Sequence, residues 1–322
     1  MKVASIQGHF RNHPHPPMVE LIPWWDLKGL GSVDVFVQNN IIEQRLPQWY
    51  PQYKFIKDSN KPFMTSESPV FRKMTFGKDD RRAYHRWSWR SYFQDEGDYN
   101  NEGCPSDRWE QIQKDLQIEI KDWSRKDDGY ILFTMQRPED SSLKNVAYSG
   151  GKYNVNKYIK FIDSALGNIR KVTNKKIRVR LHPVSDWRMK QQVSIFKSLR
   201  TPNLELSNNY HGRSSNQGGS GGAGLYEDFA GAFAVVGINS NTLVESVCEG
   251  KPTWALCSGC MAWDVCNHDL STISDEYIQH DRTQWLNNMG YTQWRHDEIL
   301  AGEPVKHLLK NYEQARKTFG WS

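Results

Sequence analysis

The stretch with the clearest chemical content is a buried strand, Ala234 to Ile238, a polar turn, Asn239-Ser240-Asn241-Thr242, and a helix carrying Glu245. Ser, Asn and Thr at a helix start leave backbone N–H groups unpaired beside hydroxyl donors, a combination that suits a phosphate. Glu245 falls about one turn later on the same face, where a carboxylate can accept hydrogen bonds from a ribose diol. The same residues would equally serve as a plain helix cap, so periodicity leaves both readings open. A second concentration of chemistry runs from Phe71 to Phe93, where Arg72, Lys73, Lys78, Arg81, Arg82, Arg86 and Arg90 are opposed only by Asp79 and Asp80. Tyr84, Trp87, Trp89, Tyr92 and Phe93 are interleaved with these cations. Cations take phosphates while rings take bases or sugars, so the stretch fits a nucleic acid or an anionic glycan. It fits as well a solvated loop followed by a Trp-containing core helix. Cys257-Ser258-Gly259-Cys260, with Cys266 and His268 behind it, has a metal-like spacing. A structural zinc usually shows two paired ligand sets and here there is one, so the expectation is that no metal is held.

These residues need elements to hold them. The 322 residues are 38% hydrophobic, 12% aromatic and 25% charged, which excludes disorder, collagen and a small stapled scaffold. That length leaves room for about two domains. Forty-two Lys and Arg against 37 Asp and Glu give +5, compatible with an anionic partner without requiring one. There is no run of about 18 apolar residues and no secretion signal in Met1 to Phe10, so a soluble, cytoplasmic protein is expected. Five cysteines agree with a reducing compartment.

Strands are expected at Lys2 to Phe10, Val33 to Val37 and Phe63 to Thr65, with helices at Ile41 to Leu46 and Asp107 to Trp123. Charge and glycine cluster at Ser124 to Gly129, the expected boundary. Beyond it, strands at Tyr130 to Thr134, Ile177 to Leu181, Leu204 to Ser207, Ala234 to Ile238 and Thr253 to Leu256 alternate with helices. That rhythm predicts parallel sheets with their sites at the carboxyl ends of the strands. Gly218 to Gly222 reads as a flexible linker.

Asn239 to Glu245, followed by Glu249-Gly250-Lys251-Pro252, resembles the donor-site signature of glycosyltransferases of the GT-B fold. Arg180-Leu181-His182-Pro183 resembles the His-Pro element of capsule and Kdo-type sugar transferases, whose His contacts the donor's phosphate. Gln136-Arg137-Pro138, with Asp140, Ser141 and Ser142, resembles the first donor-domain loop. Asp281 to Leu286 and Gln293 to Gly302 resemble the C-terminal helices of a phage-encoded branch, which brings in the glucosyltransferases of hydroxymethylated DNA pyrimidines. The resemblance runs roughly from Glu67 to Gly302 and is specific from Gly129 onward.

It implies an α/β protein with two facing Rossmann-like domains: an acceptor domain over 1–125, a donor domain over 126–275, and helices over 276–322 packing back across the cleft. The implied donor is a nucleoside diphosphate sugar, UDP-glucose foremost, held by Gln136, Arg137, Arg180, His182, Ser240, Asn241, Thr242 and Glu245. Negative charge grows on the departing diphosphate, and Arg137, His182 and the helix start would stabilise it with no cofactor or metal. The acceptor hydroxyl needs a base, for which Glu67 is the first candidate and His9 the second, with Asp95 and Glu96 behind them. Arg72, Arg81, Arg82, Arg86, Trp87 and Arg90 would meet the acceptor. The expected reaction is transfer of a hexose to a modified pyrimidine such as 5-hydroxymethylcytosine in phage DNA, inside the infected host. A capsule or lipopolysaccharide transferase, a sugar epimerase and a non-enzymatic DNA-binding protein are the rival expectations.

Overall fold

The computed structural model describes residues 1–6, 14–23, 25–39, 55–71, 83–183, 187–208, 224–275 and 277–322. His9, Arg72, Arg81 and Arg82, the helix expected at Ile41 to Leu46 and the linker at Gly218 to Gly222 lie outside them. The chain forms two compact units, one of Met1–Val70, Phe76–Asp115 and Thr283–Ser322, the other of Phe71–Thr75 and Leu116–Arg282.

The first unit is built on a six-stranded sheet of β1 (Val3–Ile6), β2 (Glu20–Ile22), β3 (Val35–Asn39), β4 (Phe63–Glu67), β5 (Tyr84–Trp89) and, from far along the chain, β13 (Gln293–Arg295). Its order is β13-β5-β4-β3-β1-β2; β2, β1, β3 and β4 run parallel, while β5 is antiparallel to both neighbours. Strand alternation explains its two cores. Val3, Val35, Val37 and Met64 join Trp87, Trp89 and Trp294 under the closing helices, whereas Ala4, Ile6 and Phe36 meet Leu30, Val33 and Ile56. The closing helices Glu303–Leu309 and Tyr312–Phe319 supply Val305, Leu308 and Ala315 to the first of these cores.

The second unit holds β6 (Tyr130–Thr134), β9 (Ile177–Arg180), β10 (Leu204–Leu206), β11 (Ala232–Gly237) and β12 (Thr253–Ala255), every pairing parallel, in the order β10-β9-β6-β11-β12. A short hairpin of β7 (Tyr148–Ser149) and β8 (Lys152–Tyr153) lies in the connection from β6 to β9. The central strands β6 and β11 are near-continuous apolar runs, as a parallel sheet covered on both faces requires, whereas β9 and β10 alternate apolar residues with Arg178, Arg180 and Glu205. The 18-residue helix Val155–Val172 lays Tyr158, Ile162, Ala165, Leu166 and Ile169 on the sheet, at the spacing of one helix face.

Two expectations from the sequence are corrected here. The helix expected over Asp107 to Trp123 ends at Leu116, where Gln117 turns into the left-handed region (φ 52°) and stops it. Over Tyr84–Trp89 the basic aromatic stretch is neither loop nor helix, and Arg90 to Phe93 follow without regular structure. Tyr84–Trp89 is a strand, because its aromatic side chains fill a two-sided sheet interior better than they fit a helix.

Candidate functional site

In the second sheet the chain leaves β6 toward β9 on one side, while β11 continues to β12 on the other. That reversal opens a crevice at the carboxyl ends of β6 and β11, the place where open α/β sheets bind ligands. The last paired row aligns Arg180, Thr134 and Gly237 on three adjacent strands. Two residues further along each chain stand His182, Gln136 and Asn239. Parallel pairing therefore brings three segments, spread over about a hundred residues of sequence, to one edge. Gly237 is required in this row, since a Cβ there would lie 2.5 Å from the Thr134 hydroxyl.

Gln136 locks the edge together. Its Nε2 donates to Ser142 Oγ and to Asn239 Oδ1, both at 2.6 Å, and its Oε1 accepts the Asn239 N–H at 3.2 Å. Asn239 Nδ2 donates to the Ser142 carbonyl at 2.8 Å, which closes the ring. The Gln136 backbone is held as well: the Tyr158 hydroxyl accepts its N–H at 3.2 Å and donates to its carbonyl at 3.0 Å. Burial pushes the Tyr158 phenol well above its ordinary pKa, so this hydroxyl keeps its proton. Both N–H donors of the Gln136 amide are consumed, so it braces the crevice walls and has no donor left for a ligand.

The groups that can reach a ligand sit around this brace. Ser240 caps the helix Asn241–Cys248, its Oγ accepting the Thr242 N–H at 3.2 Å and donating to Thr242 Oγ1 at 3.1 Å. The Thr242 hydroxyl proton is thereby left to point outward, and the Ser142 hydroxyl, used only as an acceptor, has its proton to donate. Arg137 is steered by Asp140, which takes one Nη2 bond at 2.7 Å, and its remaining guanidinium N–H groups have no partner among the described residues. Asp140 also caps the turn Ser141–Leu143. Between them Glu139 adopts φ 62°, a left-handed conformation that a non-glycine residue holds only when its surroundings fix it.

His182 is half-buried, and its backbone is gripped by the buried Gln192. Arg180 turns inward. Its Nη1 meets Asp228 at 2.6 Å with both side chains buried, and Asp228 also accepts the Ser207 hydroxyl. That ion pair ties β9 to the helix Leu225–Ala230.

Glu245 is buried one turn into its helix and lines a small pocket with Phe71, Ile118, Glu119, Tyr226 and Glu249. The pocket measures about 20 Å³, room for a water molecule and not for a nucleoside. Burial foremost, then the charges of Glu245 and Glu249, raise the Tyr226 phenol above its usual range, so it remains a hydrogen-bond donor. Glu249 pairs with Lys121, and Gly250 (φ 68°) lets the segment at Asp122 approach closer than any side chain would allow.

In the first unit Glu67 ends β4 and accepts the Ser68 N–H at 2.8 Å, opposite Arg86 on β5. Arg86 and Trp87 were expected at an acceptor surface and are interior instead, 5% and 1% exposed, because β5 is flanked by β4 and β13. Arg86 lies over the Tyr92 ring and donates to the Tyr92 carbonyl at 3.3 Å. Arg90 is exposed, at φ 62°, with its guanidinium over Phe319. Of the cysteines, Cys260 and Cys266 are buried, and burial pushes the Cys260 thiol up to about 12. His268 stacks on Trp263 and donates to its carbonyl at 2.9 Å. Among the described residues no group of three or more His, Cys, Asp or Glu is arranged to hold a metal ion, and no helix is long and apolar enough to cross a membrane.

The residues that sequence reasoning missed are the braces and their supports: Tyr158, Gln192 and Asp228. Only Tyr158 gave a signal, as a polar-tipped residue on the apolar stripe of its helix.

No family model and no curated protein matches the sequence. Solved structures do. The Thermosulfurimonas dismutans KpsC beta Kdo 2,4 transferase is similar over 90% of this chain and 89% of its own, at 9% identity and a TM-score of 0.56. The beta Kdo 2,7 transferase of KpsC from the same organism is similar over 96% of this chain and 100% of its own, at 13% identity and a TM-score of 0.52. Likeness at such identities establishes the fold, an α/β architecture of the GT-B type with two Rossmann-like units.

Proposed function

We propose that the protein is a glycosyltransferase that binds a nucleotide-activated sugar at the carboxyl edge of its second sheet. The observation that carries this reading is the convergence of Arg137, His182 and the Ser240–Thr242 helix start on three adjacent strand ends, braced by Gln136. All are donors or cations, and all suit the negative charge that builds on a departing phosphate as the glycosidic bond breaks. The hydroxyls of Thr242 and Ser142 add hydrogen bonds to phosphate oxygens. Glu245 would accept from the ribose after Phe71 or Tyr226 shifts to widen its pocket. The proposed base is Glu67, whose carboxylate would take the proton of the acceptor hydroxyl as the new bond forms.

For the acceptor we adopt a glycan of the capsule or lipopolysaccharide class. The two KpsC structures are Kdo transferases, and the DNA reading has lost Arg86 and Trp87, which a nucleic-acid backbone cannot reach inside a sheet. The test is a panel of labelled donors, including UDP-glucose and a CMP-activated sugar, offered to Kdo-terminated oligosaccharides and to DNA with and without 5-hydroxymethylcytosine. Transfer to the oligosaccharide that is lost in Glu67→Gln is the expected result. Transfer to the modified DNA alone would restore the DNA reading, and failure to bind any nucleotide sugar would remove the transferase reading altogether.

A further inference from the structure

Resting on the reading of His182 as a donor-phosphate residue, we propose that Gln192 is the positioning residue that fixes it. Gln192 projects from the helix Trp187–Ser198 and is completely buried (0% exposed). Its Oε1 accepts the His182 N–H at 2.7 Å, and its Nε2 donates to the His182 carbonyl at 3.1 Å. One side-chain amide thus pairs with both backbone groups of one residue, as a neighbouring strand would.

The sheet explains why a substitute strand is needed. Among the described residues the ladder between β9 and β10 ends with Leu206 opposite Val179, and the Ser207 N–H makes its last bond, to the Val179 carbonyl at 2.9 Å. His182 lies three residues beyond, between the buried Leu181 and Pro183, where unpaired backbone groups would be costly. Gln192 takes over where β10 stops. Holding both groups fixes the backbone of His182 and with it the direction of its side chain. Burying an amide on the core face of a helix, beside Ile195, is costly unless its bonds are made. Leu would fill the same volume without that cost, so the amide has its value in holding the His182 peptide. A phosphate contact is sensitive to such placement, since a displacement of about 1 Å can cost on the order of 100-fold.

The test compares Gln192→Leu and Gln192→Glu, each alone and combined with His182→Ala, using UDP-glucose, GDP-mannose and CMP-sialic acid as probes. Amide hydrogen exchange at His182 is expected to speed up by about tenfold or more in Gln192→Leu. Affinity for the probe that binds should fall on the order of 10-fold to 100-fold. No further fall should follow once His182→Ala is present, because the two residues act as one unit. An equal loss in both backgrounds overturns the proposal, as does accelerated exchange with unchanged affinity. Gln192→Glu keeps the accepting arm and serves if the Leu variant fails to fold. If no probe binds the unaltered protein, the donor reading fails by itself, and the NMR titration of the His182 imidazole decides the matter. A curve displaced in a folded Gln192→Leu variant, which adds no charge beside the ring, supports positioning by Gln192, and an unmoved curve overturns it.

Discussion

The carboxyl edge of the second sheet and the strand β5 of the first contain similar residue types and put them to opposite uses. At the edge of the second sheet, Arg137, Ser142 and Thr242 sit on segments that have just left their strands, so their side chains keep donors for an outside group. In β5, Arg86, Trp87 and Trp89 sit within a strand paired on both sides, and their polar atoms are turned to the protein itself. Trp89 Nε1 donates to the Leu308 carbonyl at 3.1 Å and to Asn311 Oδ1 at 2.9 Å. The difference teaches that a cation or ring near a ligand site in sequence is informative only once its place along a strand is known. Residues past the last ladder bond are free to face a ligand, and residues inside the ladder are committed to packing.

The sharpest way to break this comparison is Trp87→Ala. If β5 is core, the protein loses about 3–5 kcal/mol of stability on denaturant unfolding. A stability change within about 0.5 kcal/mol, together with weaker acceptor binding, would return Trp87 to a binding surface. The next effect is that of Gln136→Leu, which leaves Asn239 and Ser142 without their shared partner. A loss of about 1–3 kcal/mol of stability is expected, accompanied by weaker nucleotide-sugar binding in calorimetry. Binding unchanged at reduced stability would make Gln136 a packing residue alone. Arg137→Ala reverses that pattern, since it should weaken donor binding about tenfold, roughly 1.4 kcal/mol, with a melting temperature close to that of the parent.

The smallest effect concerns His307 of the first unit. Burial foremost, with Lys310 and Arg108 nearby, holds its imidazole below the ordinary value of 6.5, while its Nε2–H donates to the Tyr99 carbonyl at 3.2 Å. Below that value the unfolded chain takes up a proton that the folded unit resists, so stability falls as the pH drops through 6.5. His307→Gln should therefore show a smaller loss of melting temperature between neutral and acidic buffer. An equal loss in both proteins would assign the acid sensitivity to other groups.

Much of the second unit was legible because its central strands are short apolar runs alternating with helical patterns, the rhythm of a buried parallel sheet. Tyr130–Thr134 stands where its pattern placed it, and the ends of Ile177–Arg180 and Ala232–Gly237 moved by a residue or two. The polar turn at Ser240 was legible for the same local reason, since a helix cap uses residues adjacent in sequence. Strand β13 was not, because Gln293–Arg295 becomes a strand only by pairing with β5, some two hundred residues earlier. Gln136 and Arg180 were read as ligand contacts because nothing local shows where a long side chain ends. Asn239 and Asp228 claimed them, and both partners are distant in sequence.

The sequence alone determined the α/β rhythm, the parallel strands of the second unit and the helix start that can meet a phosphate, because each follows from periodicity and capping within a few residues. The tertiary structure decided which polar groups remain available. Hydrogen bonds and ion pairs formed across the sheet are set by strand order and register, and these left Arg137, Ser142 and Thr242 with donors to spare while committing Gln136, Arg180 and Arg86 to the protein's own interior.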